Sequence, residues 1–193
     1  IHTRRSHALL TAPLHPPVGR TVLVSKLEEP LEADNKFFEL SANQYPGAVA
    51  PQGFNYLAAF RLDPYPVWLY RCGETEIEKR VLLIHGEDTV LVEYTLRGDI
   101  EHARLRVRPL IAFRASHSLT HANGAIDAQF TWREGIASIQ PYPDLPRVHF
   151  ATTAESCTPT AHWYHNFQYA EESRRGLDFA EDLFQPFELH FPA

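Results

Sequence analysis

The chain has 193 residues, of which 44% are hydrophobic, 12% aromatic and 22% charged, with a formal net charge of −6. That length and composition suit one globular domain with a large core and exclude a disordered chain, a collagen-like chain and a small disulfide scaffold. An isoelectric point near 6.0 argues against a general nucleic-acid binder, and no apolar run approaches the ~20 residues that span a bilayer.

There is no Met in the chain, and Ile1-His2-Thr3-Arg4-Arg5 has no apolar stretch behind its basic residues, so it does not read as a signal peptide. At the other end, His190-Phe191-Pro192-Ala193 follows directly on an apolar alternation. These features lead us to expect a fragment of a longer protein, cut at both ends. Cys72 and Cys157 are the only cysteines and form no Cys-x-x-Cys pair. Two free thiols in a reducing, cytoplasmic compartment are the expectation.

Strand signals run the length of the chain, at about 7–14, 20–31, 35–44, 54–62, 67–72, 75–85, 88–97, 102–114, 126–133, 135–140, 147–153, 161–169 and 184–191. Thr89-Val90-Leu91-Val92-Glu93-Tyr94-Thr95-Leu96 has apolar residues at every even position, and Ala103-Arg104-Leu105-Arg106-Val107-Arg108 puts three arginines on one face. Alternation of period two places one face on a core. Turn residues separate the runs at 13–19, Ala33-Asp34-Asn35, 46–53, Asp63-Pro64-Tyr65-Pro66, Gly86-Glu87-Asp88, Gly98-Asp99, Asn123-Gly124 and 141–146. Helix is confined to Ala170-Glu171-Glu172-Ser173-Arg174-Arg175, with Gly176 as its stop. A dozen strands without helical crossovers predict an all-β, antiparallel two-sheet β-sandwich in a single unit over residues 1–193.

The chemistry on offer is sparse. Eleven histidines are present, and His117/His121 and His162/His165 have spacings found in metal sites. A regular strand turns His162 and His165 to opposite faces, and surface or packed histidine is the plainer reading, so no metal and no cofactor are expected. Nucleophile and phosphate-loop motifs are missing. The carboxylate pairs Glu28-Glu29, Glu171-Glu172 and Glu181-Asp182 read as solvated faces or cap charges rather than a glycosidase acid/base pair, which must face across a substrate. The segments around Trp68 and Trp163 mix flat rings with polar tips and are candidate sugar contacts, although Trp68 and Tyr70 share a strand face, as do Trp163, His165 and Phe167, and core packing explains both.

Several strings, in order, carry a resemblance. They are Thr3-Arg4-Arg5-Ser6-His7-Ala8-Leu9-Leu10, Pro16-Pro17-Val18-Gly19-Arg20-Thr21-Val22-Leu23-Val24-Ser25-Lys26-Leu27-Glu28-Glu29, Tyr45-Pro46-Gly47, Pro51-Gln52-Gly53, Phe60-Arg61-Leu62-Asp63-Pro64-Tyr65-Pro66-Val67-Trp68, Val107-Arg108-Pro109-Leu110-Ile111-Ala112-Phe113-Arg114, Ser116-His117-Ser118-Leu119-Thr120, Trp163-Tyr164-His165-Asn166-Phe167 and Arg175-Gly176-Leu177-Asp178-Phe179-Ala180-Glu181-Asp182-Leu183. Together they resemble the N-terminal domain of bacterial and archaeal-type glycogen debranching enzymes, the amylo-α-1,6-glucosidases. The resemblance implies a β-supersandwich that precedes an (α/α)6-barrel glycoside hydrolase domain, which is absent from this chain and carries the catalytic residues. It implies as partners that catalytic domain and an α-glucan (glycogen or limit dextrin), with no nucleic acid and no membrane. It makes Arg4, Arg5, His7, His117, Trp68 and Trp163 the candidates for a substrate or domain interface. A free-standing carbohydrate-binding module is the alternative, and a metal-dependent β-fold enzyme using His117 and His121 a second rival.

Overall fold

The structure is a computed structural model that describes residues 1–14, 19–33, 35–62, 64–98 and 102–192. Its strands are β1 (Leu10–Ala12), β2 (Thr21–Glu28), β3 (Pro30–Ala33), β4 (Lys36–Glu39), β5 (Ala42–Tyr45), β6 (Ala48–Gln52), β7 (Leu57–Leu62), β8 (Pro66–Cys72), β9 (Thr75–Leu83), β10 (Val90–Gly98), β11 (Arg104–Ala115), β12 (Phe130–Arg133), β13 (Ile136–Ile139), β14 (Val148–Ala151), β15 (Ser156–Gln168) and β16 (Ala180–Phe191). A 3-10 turn, Gly53–Tyr56, precedes β7, and one five-residue helix, α1 (Ala170–Arg174), joins β15 to β16.

The pairings are antiparallel. A large sheet runs β1-β2-β11-β16-β15, with β3 also paired to β11 and β4 to β3. Opposite lie a four-stranded sheet, β10-β9-β8-β7, and a three-stranded sheet, β12-β13-β14, while β5 and β6 form a hairpin. The expected sandwich is present, with its second layer divided. The main core draws on all three larger sheets, through Leu27, Leu105 and Phe187 of the first, Ile77 of the second and Ile139 of the third. A smaller core of Val22, Leu110, Ala112, Phe167 and Leu183 lies on the other face of the large sheet, with Ala8, Tyr45 and Tyr164 packed on it.

Alternation explains the β9–β10 hairpin directly. Lys79 lies opposite Tyr94 and Ile77 opposite Leu96, while Arg80 on the other face bonds Glu78 and Glu93. Elsewhere single residues interrupt the pattern. The expected strand 20–31 breaks before Pro30, where the Leu40 N–H donates to the Glu29 carbonyl at 3.2 Å and folds β4 back. The expected strand 35–44 is broken at Leu40-Ser41 into β4 and β5, and residues 46–53, read as a turn, contain β6. The tight turn is the pair Pro46-Gly47, with Gly47 at φ 72°.

The longest departure is in β15. Its register slips between Pro159 and His162 and again between Tyr164 and Phe167, where Ala161 and Asn166 take φ of 47° and 63°. A bulge adds a residue and reverses which face follows. Trp163 therefore packs with the main core and Phe167 with the small one, so they do not share a face. The short helix falls where expected, stopped by Gly176 at φ 70°. The expected turns at 13–19, Ala33-Asp34-Asn35, Asp63-Pro64 and Gly98-Asp99 lie partly outside the described residues, as do Pro16, Pro17, Val18 and Asp63 of the resemblance strings.

Candidate functional site

The first turn of the chain is tied to its last hairpin. The Arg5 N–H donates to Glu172 Oε1 at 3.3 Å, and the Arg5 carbonyl accepts from Arg114 Nη2 at 2.8 Å. Glu171 N–H donates to the Thr3 carbonyl at 2.9 Å, and Arg4 pairs with the Glu171 carboxylate at 3.6 Å. With both backbone polar groups of Arg5 held, its guanidinium makes no hydrogen bond or ion pair among the described residues. His7 is exposed and accepts from the Thr3 N–H at 3.3 Å. Partial desolvation and the charge of Arg4 hold its pKa below the ordinary histidine value.

The loop after β11 is held from the same place. Thr120 N–H donates to Glu181 Oε1 at 3.0 Å, Thr120 Oγ1 to the Ala112 carbonyl at 3.0 Å, and Asp182 N–H to the Thr120 carbonyl at 2.8 Å. Asp182 accepts the Ala122 and Asn166 N–H groups, both at 2.9 Å. Burial works against its charge. These two donors, with His165 alongside, outweigh that and lower its pKa. Behind both attachments is Glu181, fully buried, which takes Arg114 and the Tyr169 hydroxyl. Burial first, and then the Glu181 charge, push the Tyr169 pKa far up, so that hydroxyl stays a donor.

The consequence is an open cleft of about 770 Å³ in which Arg5, from the N-terminal string, meets His117, Ser118 and His121 on one side and Ser173 and Asp178 on another. Two residues selected from sequence, 112 positions apart, thus share one site. The arrangement offers an unpaired guanidinium, two exposed imidazoles, hydroxyls and a carboxylate. This is hydrogen-bonding equipment for sugar hydroxyls or for a partner's polar surface. Among the described residues no three His, Cys, Asp or Glu side chains converge as a metal site would require.

A second cleft, about 960 Å³, opens between β2 and the β7–β8–β9 edge and contains Trp68. Trp68 packs at 5.3 Å on Phe60, with Lys79 Nζ 5.8 Å from its ring centroid. Trp163 sits elsewhere, half-buried against Phe184 at 5.1 Å as part of the main core's margin.

The model of the glycogen debranching enzyme N-terminal domain family matches residues 1–193. The chain belongs to that family. Searches of curated proteins and of solved structures gave no match. In this debranching-family domain the described helix is far too short to cross a membrane.

One sequence reading of the debranching-family domain is corrected. The paired carboxylates are not solvated faces. Glu28, Glu29, Glu172 and Glu181 are all buried. Glu28 takes Lys26 at 2.9 Å, Glu29 takes Lys79 at 2.5 Å and the Tyr94 hydroxyl, and Glu172 faces Arg175 at 3.5 Å. A buried carboxylate survives only when paired and hydrogen-bonded, and each partner lies on a different strand, at a near-neighbour strand position, or one helical turn away. Arg114 and Asp178 were not singled out from sequence, and Glu181 was read only as half of an acidic pair. The cue was there in Arg114, a charge closing the otherwise apolar run 109–113.

Proposed function

We propose that this chain is the non-catalytic N-terminal domain of a glycoside hydrolase that cleaves α-1,6 branch linkages in glycogen catabolism. In this reading the catalytic residues lie in an (α/α)6-barrel domain of the same protein, and the present domain supports that barrel and borders its substrate path. The observation that carries the reading is the convergence of Arg5 and His117 in one open cleft, in a chain that matches the debranching N-terminal family from end to end. The cleft's walls are held by buried polar contacts while its working groups are left unpaired, which suits a surface completed by substrate or by the catalytic domain. The two free thiols support a cytoplasmic setting.

The test is kinetic. In the enzyme containing the catalytic domain, Arg5→Ala and His117→Ala are expected to lower kcat/KM on branched glucan about tenfold, which corresponds to ~1.4 kcal/mol of transition-state stabilisation. The thermal midpoint of the isolated domain should stay close to wild type. Unchanged kinetics in both variants overturns the role given to the Arg5–His117 cleft.

A further inference from the structure

Alone among the described strands, β7 has all six of its residues exposed. It ends the four-stranded sheet, with β8 on one side and no strand on the other. Phe60 is 53% and Leu62 67% exposed, although they lie opposite Trp68 and Pro66 and so share the core-facing side of the sheet with Trp68, Tyr70 and Ile77. Lysine, an internal proline or an inward charge usually blunts such an edge. The sheet's other edge, β10, carries Glu93 and Arg97, both exposed. β7 has one charge, Arg61, and Glu78 holds it at 2.6 Å. Its bulge lies at the start, where the register slips between Leu57 and Ala59, and Phe60-Arg61-Leu62 runs straight.

The backbone of that straight part points outward. Pro66 has no N–H, so Leu62 and Pro66 cannot exchange two hydrogen bonds. Antiparallel pairs alternate between bonded and non-bonded, which makes Arg61 and Val67 the bonded pair. The N–H and carbonyl groups of Phe60 and Leu62 therefore face away from β8, at the open edge, and no backbone partner meets them among the described residues. A row of backbone donors and acceptors at strand spacing is matched by another extended backbone.

We propose that β7 pairs with β7 of a second copy of this chain, as an antiparallel seam on a two-fold axis. With Arg61 on the axis, Phe60 of each copy lies opposite Leu62 of the other, and these two pairs exchange backbone hydrogen bonds. The same register sets the exposed Phe60 and Leu62 side chains against each other on one face of the seam. Like charges directly opposite destabilise a sheet, but each Arg61 arrives with its Glu78, so the axis collects two neutral pairs. A two-fold contact uses both edges and closes, where a head-to-tail contact would go on growing. One short strand from each copy is well below the ~20–30 residues a side of a stable interface, so the pairing is weak and reversible. It does not rest on the function proposed above.

The experiment follows the 193-residue chain by sedimentation velocity from about 5 to about 500 µM, a range that brackets a weak interface. A concentration-dependent dimer is expected, weakened at least tenfold by Leu62→Lys and left within twofold by Arg133→Ala on the β12–β13 hairpin. Cross-linking reads the register. Arg61→Cys should give a disulfide-linked dimer on a non-reducing gel, because the Cα atoms of a non-bonded antiparallel pair sit ~4.5 Å apart. Ala59→Cys should not, since that register separates the two copies of residue 59 by about 14 Å. Wild type sets the background from Cys72 and Cys157. Circular dichroism checks each variant, and the cross-link decides the matter should Leu62→Lys not fold. A chain that stays monomeric, a dimer indifferent to a folded Leu62→Lys, or a cross-link no better at 61 than at 59 overturns the proposal. So does a cross-link that forms in the 193-residue chain but not in the enzyme containing the catalytic domain, which would give this edge to the rest of that enzyme.

Discussion

Arg114 and Glu181 stand 67 residues apart in the chain and form a two-pronged, fully enclosed ion pair, with Arg114 Nη2 at 2.8 Å from Glu181 Oε2. The same Nη2 also donates to the Arg5 carbonyl, and the same carboxylate accepts the Thr120 N–H. Both walls of the Arg5–His117 cleft therefore hang on one carboxylate. Glu181→Ala strands a buried guanidinium and removes the acceptor for Tyr169 and Thr120, at an expected cost of about 3–5 kcal/mol. The double change Arg114→Met with Glu181→Leu removes both charges and should cost less than either single change. Urea unfolding of the single and double variants measures this, and a single-variant cost below about 1 kcal/mol would show that the pair supports little.

Acid should weaken the fold in two stages. His2 ionises near 6.5 when unfolded and near 3 when folded, so below pH 6.5 the unfolded chain binds a proton that the folded chain does not. Stability is therefore full above pH 6.5 and falls as pH drops through the window to 3, by at most about 1.4 kcal/mol per pH unit. Asp182, whose folded pKa is lowered from 3.8, adds a stabilisation present above 3.8 and lost below it. The urea midpoint measured from pH 8 to pH 3 should flatten between 6.5 and 4 in His2→Gln. Asp182→Asn should alter the slope only below about pH 4.

Both thiols should be present and sluggish. Burial pushes Cys72 and Cys157 up to about 11, so at pH 8 roughly 0.1% is thiolate, against roughly a quarter for an ordinary cysteine. Thiol titration in denaturant without reductant should find two per chain. In the native protein the half-buried Cys157 should react first and the buried Cys72 only on unfolding. A denatured count of zero would mean a disulfide and an oxidising compartment.

The isolated chain should release no glucose from limit dextrin. Each buried glutamate among the described residues already has a cation or a hydrogen-bond donor, including Glu78 with Arg61 at 2.6 Å and Glu188 with Arg108, which suits support rather than proton transfer. Glucose release above a heat-killed control would contradict this.

Much of the architecture was legible because period-two patterning is a local property. Residues 75–83 and 90–98 reveal their strands by themselves, as does the short helix ahead of Gly176. What stayed hidden depended on partners remote in sequence. The bulges at Ala161 and Asn166 leave no mark in composition, and Asn166 is held by the Asp182 carboxylate on the neighbouring strand. Glu181-Asp182 looks like any acidic surface pair until Arg114 is placed beside it. Arg5 and His117 were reached through the family strings rather than through any pattern of their own. The walls around Trp68 were half visible, since Trp68 and Tyr70 do share a face, but Lys79 and Glu29 join them only through the pairing of β8 with β9 and the packing of β9 over residues beyond β2.

The anchor of the N-terminal turn also sets an order of events in time. Arg5 binds Glu172 across 167 residues of chain, and a ribosome adding about 5–20 residues per second takes roughly 8–33 s to cover that distance. During that interval the Arg5 turn lacks the carboxylate that holds it. It is therefore among the last parts of this domain to settle, although it is made well before the hairpin that will hold it.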